Sequence, residues 1–367
     1  MERLRSEFLN SIKKFLKCLY KVLINTLFKV LYGKITLNKP SKIEVKSLSQ
    51  LNIKNKENKK YKIFAIKNGR ICTDGVEQVA YISRNNLVKE ISYTQIKGKL
   101  VSAKKNFVMH RGTPYFKKIY KGTVASFAQG ASGDNNYFHW MFDILPKIKL
   151  ILSNYKVDKI DYFYMPKLQP FQKKILSIYG LKNIKVINSK KYKHIQADKI
   201  IVPEHPWYKK STIFKEVNRL PMWISKWLRQ IFLKKTQKSN INKIFIDRSE
   251  TTNKHCQLIN SNQIKNYLSK KGFKSIMVGK LSFFDQISLF NNANIIIGSH
   301  GAAFTNLIFC KKNTKVIEIK PKDRPNNYKA ISKIHNLRYK QIVTPIIKKN
   351  KNNGDMFVST EELSKFI

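Results

Sequence analysis

Residues 294–307 read Asn-Ile-Ile-Ile-Gly-Ser-His-Gly-Ala-Ala-Phe-Thr-Asn-Leu, a short β-branched run that turns through Gly298, Ser299, His300 and Gly301 into a segment of helical composition. A strand, a tight polar turn and a helix in that order form the repeating unit of an α/β sheet, whose strands end in loops along one edge. Two glycines let the backbone bend and approach a ligand, and the first N–H groups of the following helix lack internal partners. Those amides, at the positive end of the helix dipole, suit an anion. His300 adds a ring donor inside the turn, and Ala302 starts the helix with Asn306 about one turn later. The same residues also make a plain strand-to-helix connection, so the rest of the chain has to decide between the two.

The unit recurs on both sides of this turn. Strand signals at 243–247, 274–278, 294–298 and 315–319 alternate with helix signals at 262–271, 283–292 and 302–309. Short loops between such units predict a parallel sheet covered on both faces, with its ligand crevice at the carboxyl ends of the strands. Earlier in the chain, strand signals at 61–66, 79–82, 123–127, 161–165, 185–187 and 199–202 flank helix signals at 138–152 and 171–179. The pattern predicts a basic amphipathic helix over 1–36, a lysine-rich linker over 37–60 and a first α/β domain over 61–215. A connecting helix over 216–240, a second α/β domain over 241–345 and a C-terminal tail over 346–367 complete the expected layout.

The chain has 367 residues, 42% of them hydrophobic, as in a globular protein of two domains. Lys plus Arg outnumber Asp plus Glu by 72 to 22, a formal charge of +50, which favours anionic partners. Lysines are spread through the whole sequence, however, so most of them read as solvated faces. Cys18, Cys72, Cys256 and Cys310 lie far apart with no paired spacing, which argues against a zinc cluster or disulfide framework and fits a reducing cytosol. Within residues 1–32, Leu4, Phe8, Ile12, Phe15, Leu16, Leu19, Leu23, Leu27, Val30 and Leu31 gather on one side of a helix among basic residues. No uncharged run approaches the roughly 20 residues that span a bilayer, and no signal-peptide cleavage site follows, so secretion is not expected. Such a helix either lies on an anionic membrane or packs on its own domain or a partner subunit.

Three further groups bear chemistry. In Asn-Tyr-Phe-His-Trp-Met-Phe-Asp-Ile-Leu-Pro at 136–146, His139 and Asp143 are four apart and share a helical face, and Pro146 breaks or kinks the helix just after them. Either side chain can take a proton from a hydroxyl, and the alternative is a structural His-Asp hydrogen bond. Arg248, at the end of the strand near 244–246, offers a planar fork for phosphate, and the alternative is a surface pair with Asp247. Glu318 sits in an apolar strand and needs a partner, either a ribose hydroxyl pair or a lysine. Asp-x-Asp, Gly-x-x-x-x-Gly-Lys and His-Glu-x-x-His motifs are absent, so metal-free chemistry is the expectation.

Together with Ile-Asp-Arg-Ser at 246–249, Leu-Ser-Phe-Phe-Asp-Gln at 281–286 and Val-Ile-Glu-Ile at 316–319, the 136–146 segment and the His-Gly-Ala block resemble the glycosyltransferase 61 family in order and spacing. The likeness runs from about residue 122 to residue 321. It implies a GT-B architecture, two Rossmann-like domains facing a cleft, with the acceptor on the first and a nucleotide-sugar donor on the second. It also implies inverting transfer without metal or other cofactor, in bacteria usually for capsular polysaccharide or lipopolysaccharide assembly on glycan or lipid-linked acceptors. On that resemblance, Arg248, Lys254, Gly298, His300, Gly301, Ala302, Asn306 and Glu318 hold the donor, and Asp143 or His139 is the base, with Asp143 preferred. Relatives usually carry a second basic residue, commonly arginine, before the position of Asn260. Here Lys254 or His255 stands in for it, and lysine lacks the bidentate fork. The implied location is the cytoplasm, peripheral on the inner face of the plasma membrane if the first helix meets lipid.

Two rival readings stay open. His139 and Asp143 also fit a His-x-x-x-Asp acyltransferase pattern, although the companion Asp-Phe-Gly-Trp-Gly signature is missing. The charge alone suits a non-catalytic binder of anions or membranes, but no nucleic-acid module is visible and nucleic acid is not an expected partner.

Overall fold

A computed structural model describes residues 2–38, 43–48, 61–75, 77–96, 99–128, 136–208, 220–249, 251, 255–348 and 354–367. The chain forms two compact units: Met1–Asn135 with Asp143–Thr212, and Asn136–Phe142 with Ile213–Ile367.

The first unit opens with the long helix Glu2–Tyr32. Its sheet is built from β1 (Ile43–Leu48), β2 (Tyr61–Thr73), β3 (Val79–Ser83) and β4 (Asn86–Leu87). After a small ribbon of β5 (Gln95–Ile96) and β6 (Lys99–Leu100) come β7 (Lys118–Ser126), β8 (Tyr162–Met165), β9 (Lys185–Asn188) and β10 (His194–Pro203). The order is β4-β3-β2-β10-β7-β8-β9, with β1 sharing the edge of β2 that β3 also uses. Strands β10, β7, β8 and β9 are parallel and the remainder antiparallel. Phe64, Ile66, Ile71, Val124, Ile195, Ile200 and Val202 form the buried face, as expected for β-branched and aromatic residues on a half-covered sheet. The stretch 37–60, expected as a linker, therefore contains a strand: Ile43, Val45 and Leu48 carry a short alternation that surrounding lysines hide. Residues 49–60 of that stretch lie outside the described residues.

The second unit holds a parallel sheet of β11 (Lys243–Ile246), β13 (Lys274–Ile276), β14 (Ile295–Ser299), β15 (Lys315–Pro321) and β16 (Arg338–Thr344), in the order β13-β11-β14-β15-β16. The central strands are near-continuous apolar runs, as burial on both faces requires. Gly298 lies in β14 opposite Ile246, and a Cβ there would fall 2.8 Å from the Cβ of Ile246, so only glycine lets the strands pack this way. The α/β class and the parallel sheet read from the sequence are both present.

Two boundaries differ from expectation. Residues 346–367 are not a loose tail: β17 (Ile346–Lys348) and β18 (Asp355–Met356) pair with each other, and β18 with β12 (Gln257–Leu258). The helix Thr360–Ser364 follows, and Met356, Val358 and Leu363 are buried in the core with Phe245 and Ile317. The expected connecting helix, Met222–Phe232, belongs to the second unit, and so does Asn136–Phe142 from within the expected first domain.

Candidate functional site

The geometry of the Gly298 turn follows from strand register. Gly298 stands opposite Glu318 on β15, so His300, two residues further on, emerges on the same face as that carboxylate. The His300 N–H donates to the carbonyl of Ile319 at 2.8 Å, and its Nδ1 lies 2.5 Å from Glu318 Oε1. Tyr339 on β16 donates its hydroxyl to Glu318 Oε2. Glu318 is fully buried, and its partners are this histidine and tyrosine rather than a lysine or a ribose. The sheet brings three residues distant in sequence to one point, which no local pattern announces. Burial, and then the Glu318 charge, raise the phenols of Tyr339 and Tyr328, so both stay protonated. The Tyr328 ring packs against His300 at 5.1 Å and against Phe304 at 5.4 Å between centroids. With Nδ1–H donating to Glu318, Nε2 of His300 accepts a hydrogen bond when the ring is neutral and donates one when it is protonated.

Arg248 sits just past the carboxyl end of β11, buried at 9% exposure. The alternative pair with Asp247 does not form: Asp247 bonds Lys265 at 2.6 Å and accepts the Ser249 N–H at 3.0 Å. Arg248 instead donates Nη2–H to the carbonyl of His255 at 3.2 Å, and its guanidinium lies over Gly301. A Cβ on Gly301 would come within 1.3 Å of Nη1. Since Gly301 has extended backbone, with φ 173°, its requirement is room for the arginine rather than special dihedrals. Nε of Arg248 is buried without a hydrogen-bond partner among the described residues. Burial lowers the pKa of Arg248, with Cys256 and Tyr328 opposing, yet a guanidinium keeps its charge in such surroundings. Lys254 lies outside the described residues.

The segment after the turn, Ala302–Phe309, is a 3-10 helix rather than the expected α-helix, with Gly301 at its cap. Asn306 within it is fully buried. It accepts the Tyr137 hydroxyl at 2.7 Å and donates to Gln286 Oε1 at 3.1 Å, so both ends of its amide meet protein. It ties this helix to the helices Tyr137–His139 and Phe283–Asn292. Phe138 lies 6.4 Å from Tyr328, centroid to centroid. The two sequence blocks at 137–139 and 298–306 therefore meet in one unit. Tyr137, Gln286, Tyr328 and Tyr339 were not singled out from the sequence, and only Tyr137 and Gln286 lay inside noted motifs.

His139 and Asp143 stand on either side of a change in helix type. Asn136 caps the turn Tyr137–His139, a π-helical turn follows over Trp140–Ile144, and Pro146 occupies the second position of the helix Leu145–Leu152, where its missing N–H costs little. Wide turns of this kind recur at functional sites. His139 is half-buried and belongs to the second unit. Asp143 is fully buried and belongs to the first, where its Oδ1 accepts the Trp207 indole N–H at 2.8 Å and lies 3.7 Å from Nε2 of His205. His205 Nδ1 accepts the backbone N–H groups of Trp207 at 3.2 Å and Tyr208 at 2.9 Å, so the neutral ring carries its proton on Nε2, toward Asp143. Burial drops the nearby Lys147 ammonium to about 7, against the pull of Asp143. Asp143 is thus buried, with Trp207 as its hydrogen-bond donor and His205 and Lys147 nearby.

Among the described residues no group of three or more His, Cys, Asp or Glu side chains is arranged to hold a metal ion. The sequence model of the family Glycosyltransferase 61 matches residues 137–317, a range that contains Tyr137, His139, Arg248, His300 and Asn306. The EGF domain-specific O-linked N-acetylglucosamine transferase of Drosophila melanogaster is 28% identical over 101 residues, 27% of this chain and 19% of that protein. The match thus spans about a fifth of that relative's length.

Proposed function

We propose that this chain, whose residues 137–317 match the glycosyltransferase 61 model, is a glycosyltransferase that takes a sugar from a nucleotide diphosphate, holding the leaving pyrophosphate between Arg248 and His300. The observation that carries this reading is the buried guanidinium over Gly301, whose Nε has no protein partner among the described residues. An orphaned buried cation of this kind is costly unless an anion completes it. In the chemical step the bond from the anomeric carbon to the diphosphate oxygen breaks, and the acceptor oxygen attacks that carbon from the opposite face. Charge growing on the departing oxygen meets Arg248 and His300, and Glu318 behind His300 steadies the ring as a cation. His139, half-buried in the same unit, takes the acceptor proton. Transfer on this scheme inverts the anomeric centre and needs no metal, and chelation leaves the rate unchanged.

The proposed layout is GT-B, with the donor on the second Rossmann-like domain and the acceptor on the first, in the cytoplasm. For the acceptor we favour a hydroxyl of a glycan or glycolipid in surface polysaccharide synthesis. A protein hydroxyl is the second reading, favoured by the O-linked transfer to EGF domains for which the Drosophila relative is named.

The test is thermal unfolding against a panel of nucleotide diphosphate sugars. One of them stabilises the wild type, by about 2.7 kcal/mol at a hundredfold excess over Kd. Arg248→Ala removes the shift, while His139→Ala keeps it and loses about 10²- to 10⁴-fold in transfer rate. Stabilisation of Arg248→Ala equal to that of wild type sinks the assignment.

A further inference from the structure

The helix Glu2–Tyr32 is attached to its unit by its less apolar side. Ile24, Asn25, Phe28, Lys29 and Tyr32 are the positions between residues 6 and 32 that lose exposure, and they form one helical stripe. Phe28, buried at 4% exposure, stacks on Tyr32 at 5.9 Å and meets Phe116 edge-on at 5.2 Å. The Tyr32 carbonyl accepts from Arg70 Nη1 at 3.1 Å, and its ring meets His194 edge-on at 5.0 Å.

At 3.6 residues per turn, Phe8, Ile12, Phe15, Leu16, Leu19, Leu23, Leu27 and Val30 fall on the other side of the helix. All of them are exposed, Phe15 at 66% and Val30 at 79%. Contiguous apolar surface of that size calls for a cover. Phe116, which Phe28 meets on the attached side, is itself exposed at 79%. Basic residues border the apolar surface: Lys13, Lys14, Lys17 and Lys21 lie on the polar side of the helix against a lone acid, Glu7, between residues 6 and 32. Lys117, Lys118, Lys191 and Lys193 line a cavity of about 610 Å³ with Tyr20, Ile24 and Leu27. Among the described residues no helix is long and apolar enough to cross a membrane.

We propose that this face lies on an anionic lipid bilayer, with Phe and Leu side chains at the acyl boundary and the flanking lysines at the phosphates. The stripe is too broad for the narrow seam of a two-stranded coiled coil, and its border of one charge sign repels a second copy while attracting acidic lipid.

The test is co-sedimentation of the full chain with vesicles of phosphatidylcholine alone and of phosphatidylcholine mixed with phosphatidylglycerol. Binding is expected to the mixed vesicles, and to weaken with salt as the Debye length falls from about 10 Å at 0.1 M to about 3 Å at 1 M. The double variant Phe15→Ser with Leu19→Ser loses roughly tenfold or more in binding. Lys13→Gln with Lys17→Gln loses most of the preference for the acidic lipid. All four side chains are exposed, so thermal unfolding of both variants matches the wild type. Equal binding to both vesicles, no binding to either, or vesicle binding that survives the Phe15 and Leu19 changes overturns the proposal. So does a dimer in light scattering that the same double variant dissolves, since that gives the face to a second copy. The readout is lipid binding, so its failure leaves the sugar-transfer reading untouched.

Discussion

Glu318 and Asp143 are both fully buried, and each has a histidine beside it. At Glu318 the histidine turns its Nδ1 to the carboxylate, at 2.5 Å, and keeps Nε2 for something else. At Asp143 the histidine is turned the other way round: two backbone amides donate to Nδ1, and Nε2 lies 3.7 Å from the carboxylate. The first arrangement leaves a ring nitrogen that can gain charge when a ligand asks for it, with a carboxylate behind to stabilise that charge. In the second, Trp207 donates its indole N–H to the carboxylate, and Lys147 lies close enough to feel its charge. A carboxylate next to a histidine is therefore not by itself a catalytic pair. What separates the two is which ring nitrogen faces the carboxylate and how closely: Nδ1 of His300 at 2.5 Å, Nε2 of His205 at 3.7 Å.

The sharpest way to break this comparison is to neutralise each carboxylate at constant shape. Glu318→Gln keeps an acceptor for Tyr339 but removes the charge behind His300, and kcat/KM is expected to fall about 10²- to 10³-fold. Asp143→Asn keeps the acceptor for Trp207 and leaves turnover per folded molecule near wild type. Its effect is on stability, which drops by ~1–3 kcal/mol in urea unfolding because Lys147 and the His205 N–H lose their charged partner. A stable Asp143→Asn protein with no turnover would falsify this division and restore Asp143 as the base.

A smaller effect tests the cation next to the first pair. In Gly301→Ala the new methyl displaces the end of Arg248, while the extended backbone accepts alanine without strain. Stability should hardly change, and kcat/KM should fall about 10- to 100-fold through weaker hold on the leaving group. If Gly301→Ala works normally while Arg248→Ala does not, the arginine acts from some place other than over this glycine.

How much of this was legible depended on the distance over which each signal acts. The helix Phe283–Asn292 and strands such as β15 were readable from apolar spacing and β-branched runs, which are local. Arg248 and His300 were found as polar residues at the ends of such strands. The partners of Glu318 were not, because Tyr339 reaches it through strand register, and register is set by the whole sheet. Trp207 and His205 lie more than sixty residues from Asp143, beyond any pattern of spacing. The reading of 138–152 as one regular helix assumed 3.6 residues per turn, and the π-helical turn at Trp140–Ile144 interrupts it. The strand at Ile43–Leu48 was lost in a lysine-rich stretch whose charges outweigh its three apolar residues.

The smallest expected effect concerns Lys147, which belongs to the closed pair. Burial lowers its ammonium from an ordinary value near 10.5 to about 7, so between those values the unfolded chain holds a proton that the folded chain has released. Stability then rises with pH across that window, and the full penalty for the buried charge is present below it. Lys147→Met removes the titration. The variant should be more stable than wild type by ~1–2 kcal/mol at pH 7, less than the full penalty because Asp143 loses a neighbouring cation. Urea unfolding at several pH values should show that advantage shrinking toward pH 10, as wild-type Lys147 reaches the uncharged state in folded and unfolded chains alike. A difference that stays constant with pH would mean that Lys147 keeps its proton in the fold, and that the Asp143 cluster is held by a true ion pair rather than by the neutral hydrogen bond from Trp207.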